Sequence, residues 1–325
     1  MEVVSRKTIT KKFAFVIFWL ALSSSFTACF SAASKDEKQN ANDSSKQFSK
    51  IYQKSQVSGK IESNEITESS GIAASKCQPD VFWTHNDSGN GAFIFAMNTK
   101  GKNLGTFRVI GAKNTDWEDI AAFKNERGEC FLFIGDIGNN ARERNEFTIF
   151  LVKEPKISSA GKSSNKKNPL STEESDAIKF EYPDLGYDAE TLLVHPQTGD
   201  IYILTKQFSA ASAVYKLAKN YSFEKTNRLE KIVDFTVPAV PNGFLTGGDI
   251  SSDGSRVIVC DYFSGYELVL PENAKTFDEI WKQKSLVVEL GERAQGEAVC
   301  YSIDGNSIFA TSEKQNSAII EVKKK

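Results

Sequence analysis

Apolar residues along this chain fall in short runs separated by turn-forming clusters such as Gly199-Asp200, Asp253-Gly254 and Asp304-Gly305. Short apolar runs bounded in this way read as β-strands joined by hairpins. Five of the runs open on an acidic or small residue and can be laid over one another. They are Thr67-Glu68-Ser69-Ser70-Gly71-Ile72-Ala73, Asp116-Trp117-Glu118-Asp119-Ile120-Ala121, Asp188-Ala189-Glu190-Thr191-Leu192, Thr246-Gly247-Gly248-Asp249-Ile250 and Gln295-Gly296-Glu297-Ala298-Val299. With Ser70, Glu118, Glu190, Gly248 and Glu297 taken as equivalent, the spacings are 48, 72, 58 and 49 residues. A period of about 50 in a strand-rich chain is a signature of a β-propeller.

Each repeat divides further. The first gives strands over about 70–75, 80–86, 91–98 and 104–111. The second gives 118–123, 130–135, 146–152 and 177–182, with a Ser-, Lys- and Asn-rich insertion near 156–175 that reads as a surface loop. The third gives 190–195, 200–206, 213–217 and 230–237. The fourth gives 248–252, 256–261, 265–270 and 285–290, with a short helix over Thr276 to Lys282. The fifth supplies only 297–302, 307–312 and 317–323 before the chain ends. A three-stranded last blade leaves an open edge, which a closed ring must cover. The segment Lys50 to Glu62 precedes the first repeat and can return to fill it. The expectation is an all-β, five-bladed propeller closed by an N-terminal strand. Six blades, with a degenerate one hidden in the long second spacing, is the alternative.

That topology carries a chemical consequence. The innermost strand of a blade runs down the channel and the second runs back, so strand-one starts and strand-two ends share one mouth. Strand-two ends contribute His85-Asn86-Asp87-Ser88-Gly89, Gly135-Asp136-Ile137-Gly138, Thr205-Lys206 and Cys260-Asp261-Tyr262. Several carboxylates gathered there cannot all ionise without a cation, because like charges raise one another's pKa. Oxygen ligands without Cys or His select a hard cation, and a flexible Glu and Ser ring suits Ca²⁺ better than Mg²⁺. Ser70, Glu118, Glu190 and Glu297 are the candidate ligands, with Gly248 marking an incomplete fourth position. Asp87, Asp116 and Asp136 are candidate bases. Asn86, Arg142, Arg144 and Lys206 are candidate substrate contacts.

The first 50 residues change the picture of location. Arg6, Lys7, Lys11 and Lys12 precede an apolar stretch from Phe13 to Leu22, followed by small residues up to Cys29. The stretch is shorter than the roughly 20 residues a spanning helix needs, so it reads as a secretory signal over 1–28. Phe26-Thr27-Ala28-Cys29 resembles a bacterial lipobox, with Phe26 where Leu is usual. The polar composition of 29–50 reads as a tether between a lipidated Cys29 and the domain at 51–325. This makes the membrane a partner through the lipid and places the domain in a bacterial cell envelope.

Cleavage before Cys29 takes the formal charge from −2 to about −5. That mild acidity argues against a nucleic-acid partner, which needs a basic stripe. Four cysteines remain, an even number that permits disulfides in an exported chain. Cys77 and Cys130 lie in corresponding parts of adjacent repeats and can pair, while Cys260 and Cys300 read as buried thiols. With only His85 and His195 there is no zinc-type ligand set.

The register Ser70, Glu118, Glu190, small, Glu297 resembles the calcium-activated nucleotidase (apyrase) family over about residues 65 to 323. The resemblance implies one channel Ca²⁺ held by Ser70, Glu118, Glu190 and Glu297. The fourth blade departs, with Gly248 where the family has Ser. The strings around Asp87, Glu118 and Asp136 are also similar to those of bacterial exported propellers related to phytase-like or esterase-like domains. Three functions follow as expectations. The first is a Ca²⁺-dependent hydrolase of phosphate esters or anhydrides. The second is a non-enzymatic propeller that binds a surface ligand or protein around a structural Ca²⁺. The third, a glycosidase using a carboxylate pair, ranks lower because aromatic platforms at the mouth are few (Trp117, Tyr187, Tyr262).

Overall fold

A computed structural model describes residues 47–325. The signal over 1–28, Cys29 and the tether up to residue 46 lie outside the described residues. The sheets form five blades in a ring. The first contains β2 (Gly71–Ala74), β3 (Phe82–His85), β4 (Phe93–Met97) and β5 (Asn103–Ile110). The second contains β6 (Trp117–Lys124), β7 (Cys130–Asp136), β8 (Phe147–Lys153) and β10 (Asp176–Glu181). The third is β11 (Ala189–Val194), β12 (Ile201–Thr205), β13 (Ser212–Leu217) and β15 (Glu230–Phe235). The fourth is β16 (Gly247–Ile250), β17 (Arg256–Cys260), β18 (Gly265–Val269) and β19 (Leu286–Val288). The fifth is β20 (Gly296–Tyr301), β21 (Ser307–Ser312), β22 (Ala318–Lys323) and β1 (Gln56–Lys60). The innermost strands β2, β6, β11, β16 and β20 each contact the next, and β20 returns to β2. The ring is therefore five-bladed, and the six-bladed alternative falls.

Closure is by the N-terminal strand, as the short fifth repeat required. β1 pairs antiparallel with β22, Gln56 facing Glu321 and Lys60 facing Ala318. Just before it, Tyr52 donates its hydroxyl to Glu267 Oε1 at 2.5 Å, and Arg256 and Tyr301 reach the same oxygen at 3.4 and 2.9 Å. Residues 47–49 run along β19, with Ser49 N donating to Val287 O. The N-terminal segment thus touches two blades. The Cys77–Cys130 disulfide joins the first and second blades, and Cys260 and Cys300 are buried free thiols.

Among the described residues, five apolar clusters occupy the five seams between blades. The seam of the second and third blades, for example, holds Phe133, Phe147, Phe180, Leu192, Ile203 and Tyr215. The seam of the fifth and first holds Ile61, Ile72, Phe82, Phe95, Phe309 and Ile319. Each fully buried side chain of this size is worth about 1.5–3 kcal/mol. The ring is consequently held by side chains that leave both faces of every blade. Residues near strand-one starts are then free to be polar, because the seams carry the stability.

Two expectations change. The insertion near 156–175 is not simply a loop. It holds a 3-10 helix over Ser159–Ser163 and β9 (Leu170–Glu174), which adds to the outer edge of β5 in parallel. Its polar composition hid it, since only Thr172 of this strand is buried and the pairing is carried by the backbone. A two-residue strand, β14 (Asn227–Arg228), covers the outer edge of β10 in the same way. Both additions blunt an otherwise open edge. The expected helix over Thr276 to Lys282 is a 3-10 helix, Phe277–Lys282, capped by Thr276 and Glu279, with Ile280 and Trp281 buried.

Candidate metal centre at the channel mouth

The ladder between the first two strands of each blade fixes which residues are equivalent. Gly71 pairs with His85, Trp117 with Asp136, Ala189 with Thr205, Gly247 with Cys260 and Gly296 with Ser312. In the second and third blades the ladder then slips by one residue. Asp119 faces Gly135 and Thr191 faces Leu204, so Glu118 and Glu190 are the extra residues of β-bulges. The fifth blade slips between Gly296 and Val299, the stretch that holds Glu297. The first and fourth blades do not slip there: Ile72 faces Thr84 and Gly248 faces Val259. A bulge bends the strand and re-aims one side chain. Glu118 and Glu190 are thus the bulge residues of their strands, and Glu297 lies within the irregular stretch of its own.

This corrects the register. Ser70 corresponds to Asp116 and Asp188, not to Glu118, and Gly248 corresponds to Asp119 and Thr191. A Cβ on Gly248 would lie 2.8 Å from Ile258 O and 3.0 Å from Leu193 Cδ2, between blades rather than in the channel. Gly248 is therefore not a gap in a ring of ligands. Ser70 donates its hydroxyl to the carbonyl of Glu118 at 3.0 Å and holds that bulge in place.

The mouth brings together Asp87, Asp116 and Glu118, each offering an oxygen within 4.8 Å of the others. Glu118 is 4 % exposed, and its Oε1 has no hydrogen-bond partner among the described residues. A Cβ on Gly138 would lie 2.1 Å from that oxygen and 2.5 Å from Asp116 Oδ2, so a side chain there would push the two carboxylates aside. Burial, then Glu190, Asp87, Asp116 and Asp188, push the Glu118 carboxyl well above the usual range. Asp116 is pushed up to about 6, by burial first and Asp87 second. Burial also raises Asp87.

The other candidates have partners. Glu190 Oε1 accepts from Lys206 Nζ at 2.5 Å; burial takes its carboxyl up to about 8 against the pull of that ammonium. Lys206 lies over Phe244 and Tyr262, 4.5 and 5.3 Å from the ring centroids. Glu297 accepts from Gln295 Nε2 at 2.9 Å, and burial with Glu190 raises it. Asp136 forms an ion pair with Arg144 at 2.7 Å and accepts the backbone N–H of Thr115 and Asp116. Arg144 also donates to the carbonyls of Gly138 and Asp136, which shapes the loop that carries Gly138. Asn86 is buried, accepting from the N–H of Thr67 and Glu68 and donating to Glu65 O. It braces the loop next to Asp87. Arg142 is exposed and reaches Gln207 at 3.4 Å.

Sequence reading missed the aromatic side of the mouth. Phe208, Phe244 and Phe263 come from three separate loops, and no single stretch of sequence announces their meeting. Trp117, by contrast, is no platform. It is wholly buried, its Nε1 donating to Lys113 O. Tyr187 packs on Tyr182 and Tyr215.

No family model matches this sequence, and no curated protein matches it. No sequence-level match therefore supports the nucleotidase or phytase-like resemblance. Among solved structures the chain is similar to one in a nidogen/laminin complex, at 14% identity and a TM-score of 0.42, covering 74% of this chain and 71% of that one. It is also similar to a gluconolactonase from Xanthomonas campestris, at 9% identity and a TM-score of 0.47, covering 88% and 93%. At such identities neither likeness speaks to chemistry. The class defined by the coordinates themselves is a five-bladed β-propeller with an acidic channel mouth.

Proposed function

We propose that this propeller binds Ca²⁺ at its channel mouth through Asp87, Asp116 and Glu118 and is a Ca²⁺-dependent hydrolase of phosphate esters or anhydrides. The observation that carries the reading is Glu118 Oε1, buried, without a partner and set against two further carboxylates. A carboxylate in that position is costly unless it is neutralised, and an all-oxygen donor set fits a hard cation. Glu190 and Glu297 lie behind it in the channel. When bound, the cation supplies charge neutralisation at a phosphoryl oxygen. Arg142 is a basic group free to meet an anion, while Lys206 is held by Glu190.

Calorimetric titration with Ca²⁺, followed by phosphate release from nucleotides and phytate in Ca²⁺ or EGTA, tests both halves. Absence of Ca²⁺ binding overturns the site; binding without phosphate release overturns the hydrolase. One observation favours the second reading, a binding propeller with structural Ca²⁺: Lys206 and Arg144 are each already neutralised by a carboxylate. The same assay separates the two. The proposed setting is the bacterial envelope, with a lipid on Cys29, supported by the basic and apolar run before it. Cys29→Ser should then move the protein from the membrane fraction to the soluble one, and unchanged fractionation would remove the anchor.

A further inference from the structure

The mouth is two-sided. On the side of the first two blades stand Asp87, Asp116 and Glu118. On the side of the third and fourth, Phe208 follows β12, Phe244 precedes β16, and Tyr262 and Phe263 lie between β17 and β18. Successive ring centroids along Phe208, Phe244, Tyr262 and Phe263 are 6.0, 5.1 and 6.4 Å apart, each pair close to perpendicular. These are edge-to-face contacts at normal spacing. Phe208 and Phe263, at the ends of the arc, are 74% and 75% exposed. Phe244 and Tyr262, in the middle, are part-buried and flank Lys206.

The arc is continuous with the carboxylates. The Tyr262 hydroxyl lies 3.4 Å from Lys206 Nζ and 3.5 Å from Gln295 Nε2, which in turn donates to Glu297. The inner end of the arc is thus joined by polar contacts to Glu190 and Glu297, while its outer end lies in solvent. Isolated exposed apolar residues are ordinary, but two exposed rings ending one contiguous arc at a polar site form a platform for something flat.

We infer that the site takes an anionic ester whose non-reacting part is an aryl or similarly flat apolar group. Its charged end meets the cation at Asp87, Asp116 and Glu118, and its flat group lies on the arc from Phe208 to Phe263. This rests on the cation site proposed above. The test uses 1-naphthylphosphonate and methylphosphonate, which carry no ester bond to cleave, titrated calorimetrically into the full chain with Ca²⁺ present. The naphthyl compound should bind at least about tenfold more tightly, since two or three aromatic contacts supply that much. In the Phe208→Ala, Phe263→Ala double variant the preference should shrink to about threefold or less. Its affinities for methylphosphonate and for Ca²⁺ should stay unchanged, which also shows that the variant is folded. Equal affinities in the wild type, a preference that survives the double variant, or no binding of either phosphonate to Ca²⁺-loaded protein would each overturn the arc. If the wild type binds no Ca²⁺, the cation site fails. A naphthyl preference that persists without Ca²⁺ would leave the arc standing as a binding surface without the cation.

Discussion

Glu267, in the seam between the fourth and fifth blades, and Glu118, at the channel mouth, are both buried. Glu267 Oε1 collects the hydroxyls of Tyr52 and Tyr301 and the guanidinium of Arg256. Each glutamate keeps one buried oxygen without a partner among the described residues, Glu267 Oε2 and Glu118 Oε1, but the neighbours of Glu118 are other acids. The first carboxylate ties the N-terminal segment to two blades, so its partners come from the fold itself. The second stands among acids whose nearby cations, Lys206 and Arg144, are paired with Glu190 and Asp136. On the reading proposed above, the difference separates a residue placed for stability from one placed for a ligand, because a buried carboxyl without a counter-charge either keeps its proton or meets a cation.

The comparison can be broken from either side. Glu267→Gln leaves Arg256 buried without its counter-charge and should cost about 3–5 kcal/mol, read as a lower denaturation midpoint at constant slope, with Ca²⁺ affinity unchanged. A loss below about 1 kcal/mol would put the two glutamates in the same category. The metal-free protein should next show a strong pH dependence. Asp116 rises from 3.8 to about 6. A carboxyl raised in the folded state keeps its proton there while the unfolded chain releases it. Its contribution to stability is then full below about pH 4 and is lost as the pH climbs through about 6. The Tm without Ca²⁺ should fall by several degrees over that window, and saturating Ca²⁺ should flatten the fall. A Tm without Ca²⁺ that rises with pH would contradict this.

Glu118→Gln sharpens the contrast at a smaller scale. Its amide can donate to Asp87 or Asp116, so the metal-free protein at pH 8 should gain about 1–3 kcal/mol while Ca²⁺ binding disappears. A variant destabilised without Ca²⁺ would mean that Glu118 has an internal partner after all. Tyr52→Phe should have the smallest effect, about 1 kcal/mol, because Tyr301 and Arg256 still satisfy Glu267. It should be silent in every Ca²⁺ measurement.

Much of the fold was legible because it depends on spacing. The repeat of strand openings predicted five blades, and the three-stranded last repeat predicted the returning strand that β1 supplies. The strand β9 was not legible, since Leu170–Glu174 carries little apolar signal and joins β5 by backbone pairing. At the mouth, Glu118, Glu190 and Glu297 follow the same paired position of their strands, but their relation to Ser70 and Gly248 was off by one residue. An extra residue in a strand changes which side chains share a face, and nothing in a sequence shows where the ladder will slip.

The sequence by itself determined the ring, its closure and the delivery of carboxylates to one mouth, because all three follow from the order and period of apolar runs. The tertiary structure decided which acids stand together. Bulges turn Glu118 and Glu190 inward, Lys206 takes Glu190, and Arg144 takes Asp136. It also decided that Phe208, Phe244, Tyr262 and Phe263 form one surface, since residues from three loops meet only when the ring closes. Distances between side chains on different blades are set by packing in the seams, and that is a property of the whole ring rather than of any stretch of chain.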